Sequence, residues 1–547
     1  PFINCLNMFS HNTDQRSLSN PQSDRSLSRN SIDSSSQQSL DSKAASFPSY
    51  CLFVAFVAVL ASLENGWNLG VTNIPENEPL SRDINSMEKN GILQEQTIRN
   101  CTSEHPRVKS NLPDCLPMNN FLWGFATGSY ALGGLLGGLL AGHFQTLYGR
   151  RNTLVFNTIT WIFGGLLLGT ALHPLMFVAG RILTGIGSGI GSVAAPTYIG
   201  EIATIKSRGA IGTIYQLFIV IGILITQLLG LVLSFVPGWR ILLTLTAIPA
   251  LIQLILLPLC VESPRYLISQ NRFSEAKDAL QKLRNGYNVE NEFREIVGGQ
   301  TTQSNGKHVE SVINENSNID MSSAAEGVEI VATPKIQNAR GFIQILRDTR
   351  CRRMLLICVG LNMVQQLCGI NGIILYSTAI FLQIFGRGAK YATLGVGIVN
   401  LLMTLISTYL VDKKGRKPLL FTSFIGMCVS SIFVVIGSLY HDNVLVIVAV
   451  LLFISSFAIG IGPIAFLIAP EVLPTHCVSS GGSICLGINW LCNFLIILIF
   501  PVLQQSLGGY TFIVFAIISG ISAIATLMFF PEEVYFEVCS EELMVDV

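Results

Sequence analysis

Apolar runs parted by short polar loops recur along this chain from residue 50 almost to its end. A helix rises about 1.5 Å per residue, so roughly 20 apolar residues cross a hydrocarbon core of about 30 Å. Twelve runs meet that requirement, over 50–72, 120–141, 152–172, 174–199, 210–235, 239–260, 352–382, 391–411, 417–438, 444–469, 479–503 and 509–530. Each predicts a membrane-crossing helix, because in lipid the backbone amides must be bonded within their own segment. A closed barrel would instead show alternating strands of about ten residues, and that alternation is missing. The fold class expected is an all-α membrane protein of twelve transmembrane helices.

A polar stretch, 262–350, splits the runs into two bundles of six, 48–261 and 351–533. Within it Phe273, Ala276, Leu280 and Leu283 recur at helical spacing, which predicts amphipathic helices on the cytosolic surface. Residues 298–335 read as a flexible linker, 1–47 as a disordered Ser-rich cytosolic tail and 534–547 as a short cytosolic tail. Tyr148-Gly149-Arg150-Arg151 after the second span returns as Lys414-Gly415-Arg416-Lys417 after the eighth. Matching positions in the two halves imply an internal repeat, and two similar bundles can rock about a site near the bilayer midplane.

Composition agrees with a lipid environment: 50% of residues are hydrophobic and 12% charged, with a mean hydropathy of +0.53. Net charge is zero, so nothing points to a nucleic-acid partner. Arg150, Arg151, Lys206, Arg208, Lys413, Lys414, Arg416 and Lys417 all lie in loops after even-numbered spans. That asymmetry predicts those loops and both termini to be cytosolic. The first outer loop then holds the acceptor triplet Asn100-Cys101-Thr102, a glycosylation signal that suits a plasma-membrane protein. Most of the thirteen cysteines sit in apolar runs and read as small fillers. Cys101 and Cys115 share the outer loop and are the candidate disulfide.

No metal-spaced His/Cys cluster, nucleophile elbow or paired intramembrane acids occur, so neither an enzyme, a metal nor a cofactor is expected. The glycines of the second span (Gly133, Gly134, Gly137, Gly138, Gly142) and fourth span (Gly185, Gly187, Gly189, Gly191) lack a P-loop lysine. They read as surfaces for close helix packing.

Segments in order along residues 50–533 resemble the sugar porter family of the major facilitator superfamily, and within it the facilitative glucose transporters. They are Leu63-Glu64-Asn65-Gly66-Trp67-Asn68-Leu69-Gly70-Val71, Gly180-Arg181, Pro196-Thr197-Tyr198-Ile199-Gly200-Glu201, Arg208-Gly209-Ala210, Tyr215-Gln216-Leu217 and Glu262-Ser263-Pro264-Arg265 in the first half. The second half has Gln365-Gln366-Leu367-Cys368-Gly369-Ile370-Asn371, Asp412-Lys413-Lys414-Gly415-Arg416-Lys417, Gly460-Ile461-Gly462-Pro463, and Asn489-Trp490 with Asn493. The resemblance implies transport of a hexose, with glucose foremost, by alternating access.

A hexose offers hydroxyls that donate and accept and a faintly apolar ring face, so its site calls for neutral amides and a flat aromatic. Gln216, Ile219, Ile223 and Gln227 recur at spacings of three and four on one face of the fifth span. Asn489, Trp490 and Asn493 lie about one turn apart in the eleventh span, Asn400 in the eighth and Phe466 in the tenth. Gln365, Gln366 and Asn371 flank Gly369, where a bend can aim amides from different faces into one cavity. By resemblance Gln216, Gln365, Gln366, Asn371, Asn400, Trp490 and Asn493 fall on sugar-contacting positions; read blandly, intramembrane amides tie helices together.

The resemblance also gives Arg150, Arg151, Glu201, Arg208, Glu262 and Arg265, with Asp412, Arg416 and Glu471, a gating role. Their ion pairs would hold the two halves closed toward the cytosol. Asn362-Met363-Val364 stands where glucose-selective relatives have Gln-Leu-Ser, which leaves the choice of hexose open. Proton-coupled relatives carry an aspartate at the position of Asn68, so the neutral amide favours facilitated diffusion. Glu64 lies one turn before Asn68, with Arg181 of the fourth span as candidate partner, and keeps proton symport in play. A sugar receptor that signals through its tails is the reading from another class.

Overall fold

The computed structural model describes residues 48–73, 78–79, 95–96, 98, 112–113, 115–203, 208–233, 238–285, 289–302, 349–385, 388–473 and 475–530. Apart from a two-residue antiparallel pair, β1 (Glu78–Pro79) with β2 (Glu95–Gln96), its regular structure is helical. The first half comprises α1 (Ser49–Gly70), α2 (Asn120–Tyr148), α3 (Arg150–Gly169), α4 (Pro174–Ile202), α5 (Arg208–Leu233), and one span in two pieces, α6 (Gly238–Thr244) and α7 (Ala247–Leu256).

Three short helices follow, α8 (Pro264–Ser269), α9 (Phe273–Leu283) and α10 (Glu290–Thr302). The second half comprises α11 (Thr349–Leu367), α12 (Ile370–Phe385), α13 (Ala389–Lys414), α14 (Arg416–Leu439), α15 (Asn443–Ile459), α16 (Ile461–Val472), α17 (Thr475–Leu507) and α18 (Thr511–Phe529).

These helices make twelve crossings. By length and apolarity alone eleven candidates stand out, but one of them, Gly481–Phe529, runs through α17, a turn at Gly508–Tyr510 and α18. The span expected as unbroken over 352–382 is two helices. Gly369 adopts φ +92, and a Cβ there would lie 2.6 Å from the Phe515 ring, so the backbone turns where only glycine fits. The tenth span likewise breaks at Gly460, between α15 and α16. The predicted linker starts later than expected, since α10 continues to Thr302.

The repeat is visible in backbone detail. Gly149 (φ 87, ψ 178) and Gly415 (φ 77, ψ 172) begin α3 and α14 identically. The arginine after each glycine reaches back five residues, Arg150 Nη1 to the Gln145 carbonyl (3.4 Å) and Arg416 Nη1 to the Val411 carbonyl (3.2 Å). The halves meet along α2 against α17 and along α5 against α13, pairs that the repeat relates to each other.

Tyr148, Arg150, Ile202, Leu259, Lys414 and Arg416 share one end of the bundle, called here the basic end. There α9 turns buried Ala276, Ala279, Leu280 and Leu283 inward. Arg284 pairs with Glu292 (2.6 Å) and donates to the Ile202 carbonyl (3.0 Å), which fastens the short helices to α4. A hydrogen bond from Lys277 (2.8 Å) joins α9 to α10 and holds the Glu290 carboxyl below the usual carboxylate range.

Candidate functional site

Between the halves lies a cavity of about 70 Å³, room for a few water molecules. The first half contributes Asn65 and Leu69 of α1, Ser192 of α4, and Gln216, Ile219, Val220 and Ile223 of α5. The second contributes Gln365, Gln366, Ile370, Asn371, Ile374, Asn400, Phe457, Phe466, Leu486, Asn489, Trp490 and Asn493. None of these side chains is charged.

The break at Gly369 places Gln365 and Gln366 at the end of α11 and Asn371 at the start of α12, so the three amides converge. They form a chain of hydrogen bonds with α17. Asn371 Nδ2 donates to Gln366 Oε1 (2.5 Å) and Asn493 Oδ1 (3.0 Å), and Gln366 Nε2 donates to Asn489 Oδ1 (2.9 Å). Asn489 Nδ2 donates to Gln365 Oε1 (2.7 Å) and to the Asn362 carbonyl (3.1 Å), while Gln365 Nε2 reaches the Gly462 carbonyl (2.9 Å) on α16. Each bond contributes about 1 kcal/mol net, and linked in series they fix the orientation of every member. Gln216 and Asn400 face the same cavity and take no part in this chain.

Trp490 crosses to the first half. Its ring lies 2.5 Å from where a Cβ on Gly134 would stand, and it meets Tyr130 edge-on with centroids 5.7 Å apart. The glycine is what admits the indole between α2 and α17. Of the other glycines read as packing surfaces, Gly142 is the exception, with open space around it.

Eleven of the twelve residues singled out for the sugar site line this cavity; Gln227 does not. It is buried on the same face one turn beyond Ile223, farther along the helix axis than the cavity reaches, and packs against Gly397 of α13. Asn65, Leu69, Ser192, Val220, Ile370, Ile374, Phe457 and Leu486 were not singled out and also line it. Only Asn65, an amide in an apolar run, carried a signal that could have found it.

Glu64 and Arg181 are each fully buried, and they do not pair. Arg181 Nη1 donates to the Asn68 carbonyl (2.9 Å) and Nη2 to the Thr127 carbonyl (3.2 Å), with the guanidinium 4.6 Å from the Tyr130 ring centroid. Both Glu64 carboxyl oxygens are without a partner. Asn68 Nδ2 is spent on the Glu64 backbone carbonyl (3.1 Å), one turn back on its own helix.

At the basic end, among the described residues, Arg150, Arg151, Glu201 and Glu262, which the resemblance assigns to gating, form a network inside the first half. Arg150 pairs with Glu201 (2.8 Å), whose other oxygen accepts from Ser263 Oγ. Glu262 Oε1 accepts the backbone N–H of Arg150 (2.9 Å), Arg151 (3.0 Å) and Ser263 (2.9 Å). A carboxylate thus sits on the N-terminus of α3, where the helix dipole favours it. Arg151 Nη1 donates to the Cys260 carbonyl (3.2 Å), and Arg265 is half-buried in the first turn of α8. The side chains of Arg208, Asp412 and Glu471 lie outside the described residues, as do Asn100 and Cys101; Cys115 is disulfide-bonded.

The opposite end is bridged directly. Asn73, just past α1, donates through Nδ2 to the Ile374 carbonyl (2.6 Å) and Ser377 Oγ (2.8 Å), and its Oδ1 accepts the Thr378 N–H (3.2 Å). Thr127 Oγ1 and the Tyr376 hydroxyl are 3.0 Å apart, and Asn120 Nδ2 donates to Gln505 Oε1 (2.7 Å). The first half is therefore tied to α12 and α17 at this end.

Two six-helix halves around a central uncharged cavity define a carrier of the major facilitator class. The same fold appears in the partially occluded inward-open xylose transporter XylE from E. coli, with a TM-score of 0.64 at 22% identity over 88% of this chain and 100% of that one. A structure of the proton:xylose symporter XylE bound to 6-bromo-6-deoxy-D-glucose gives 0.63 at 22% identity, over 89% and 97%. The family model described as Sugar (and other) transporter matches residues 54–537, and the chain belongs to that family. Facilitated glucose transporter member 2 of Mus musculus is 32% identical over 87% of this chain and 90% of its own length. Member 4 of Homo sapiens is 33% identical over 85% of each. The protein is a multi-pass membrane transporter of sugar and not an enzyme.

Proposed function

We propose that the carrier moves a hexose, glucose first among them, by alternating access and facilitated diffusion. The observation that carries this reading is the cavity wall: neutral amides from both halves, three aromatics (Phe457, Phe466 and Trp490), and no charged side chain. Amides donate to and accept from sugar hydroxyls, while Trp490 and Phe466 offer flat surfaces to the ring. Without a fixed charge the site needs no counter-ion and releases its solute to either side. The family positions and the glucose transporters among the relatives support the same substrate. The basic end would face the cytosol, with both chain termini, and the Asn100 loop would face outward at the plasma membrane, where Asn100 accepts a glycan.

A second reading, proton symport, rests on Glu64. A carboxyl with no partner deep among helices is a proton-binding group that another conformation of the carrier can expose. Uptake of radiolabelled glucose in a cell lacking hexose transporters, with and without a protonophore, separates the readings. Facilitated diffusion predicts uptake that stops at equilibrium and ignores the protonophore. Accumulation that the protonophore and Glu64→Gln both abolish would establish symport, and no hexose uptake at normal surface levels would defeat both.

A further inference from the structure

Asn65 holds a place in the cavity wall unlike that of any other amide there. Its Oδ1 accepts a 2.6 Å hydrogen bond from the Tyr130 hydroxyl, which also contacts Ser188 Oγ, so α2 and α4 fix the side chain of α1. Tyr130 is itself held, fully buried, under the Arg181 guanidinium and against the edge of Trp490. The Tyr215 hydroxyl, also buried, has no hydrogen-bond partner among the described residues.

With the oxygen oriented by its bond from Tyr130, the Asn65 NH2 group, which donates to no side chain or carbonyl among the described residues, is the donor Asn65 offers a solute. Across the cavity the arrangement is reversed in kind. Asn371 donates to Gln366 and Asn493, Gln366 to Asn489, and Asn489 to Gln365 and the Asn362 carbonyl, so those donors are already engaged.

We infer that Asn65 is a specificity-determining residue of the first half, donating its amide N–H to one hydroxyl oxygen of the sugar, with Tyr130 as its positioning residue. The inference rests on the hexose reading above and adds to it a single oriented contact. A buried donor that loses its acceptor is left unsatisfied, so the carrier should discriminate against the one deoxyhexose lacking that hydroxyl. Removing the amide and removing the hydroxyl delete the same bond, so the double change should cost little more than either alone.

The test is uptake of glucose and its single-position deoxy analogues by the full-length carrier, corrected for surface amount. Asn65→Leu should raise the KM for glucose about tenfold and erase the penalty against one deoxyhexose while leaving the others. Tyr130→Phe, which keeps the amide and frees its oxygen, should raise KM about threefold and weaken discrimination at the same sugar position. The inference is overturned if the full deoxy series keeps its unaltered penalties in both variants, or if KM is unchanged. Absence of hexose uptake by the unaltered carrier would overturn the hexose reading, and this contact with it.

Discussion

The two ends of the bundle are held by different chemistry. At the basic end the described ion pairs join elements of the first half and its short helices: Arg150 to Glu201, Arg284 to Glu292, with Glu262 seated on α3. At the opposite end neutral groups join one half to the other, through Asn73, Thr127 and Asn120. In the proposed alternating-access cycle, charged pairs within one half would keep that half together as a body. Neutral hydrogen bonds between halves, about 1 kcal/mol each, would in that cycle form a gate weak enough for thermal motion to reopen. The conformation seen is thus the one closed at the opposite end.

The largest effect should come from the contact between these ends. Gly134→Val drives a branched side chain into the Trp490 ring, and overpacking of about 1–3 kcal/mol with no space to relax should reduce hexose uptake by about tenfold or more at equal surface amount. Next is Glu201→Gln, which leaves Arg150 and Ser263 a neutral partner. With both side chains partly exposed, the loss is about 1–2 kcal/mol, read as a several-fold drop in uptake rate.

Asn73→Ala removes three hydrogen bonds and should shift the population toward opening at that end by about 1–3 kcal/mol. The check is faster modification of a cysteine placed at Ile374 by a membrane-impermeant thiol reagent. Thr127→Val, which loses only the Tyr376 contact across the halves, should change the same labelling rate about twofold. Equal effects from Asn73→Ala and Glu201→Gln on this labelling would break the distinction between the ends.

Much of this was legible in the residues because lipid makes exceptions conspicuous. Twelve apolar runs read directly as twelve crossings, and Gln365, Gln366, Asn371, Asn489 and Asn493 stand out as amides where nothing polar is needed for spanning. Hydropathy does not distinguish the apolar half of the cavity wall: Leu69, Val220, Ile370, Ile374, Phe457 and Leu486 look like any residues in a span. Spacing placed Gln227 on the face of Gln216, but spacing does not say how deep the cavity runs, and three turns along α5 Gln227 meets Gly397 of α13 instead. Glu64 and Arg181 were a candidate ion pair between the first and fourth spans. The guanidinium instead takes two backbone carbonyls, a choice set by where α1 and α2 cross, which no spacing within one helix encodes.

The central claim is that closure at the opposite end is one of two alternating states of a sugar carrier. Cysteines at Asn73 and Ser377, whose side chains now touch, would test it by oxidative cross-linking in cells, with hexose uptake measured before and after reduction. The account predicts that cross-linking stops uptake in proportion to its extent and that reduction restores it. Undiminished uptake by fully cross-linked carrier would contradict it.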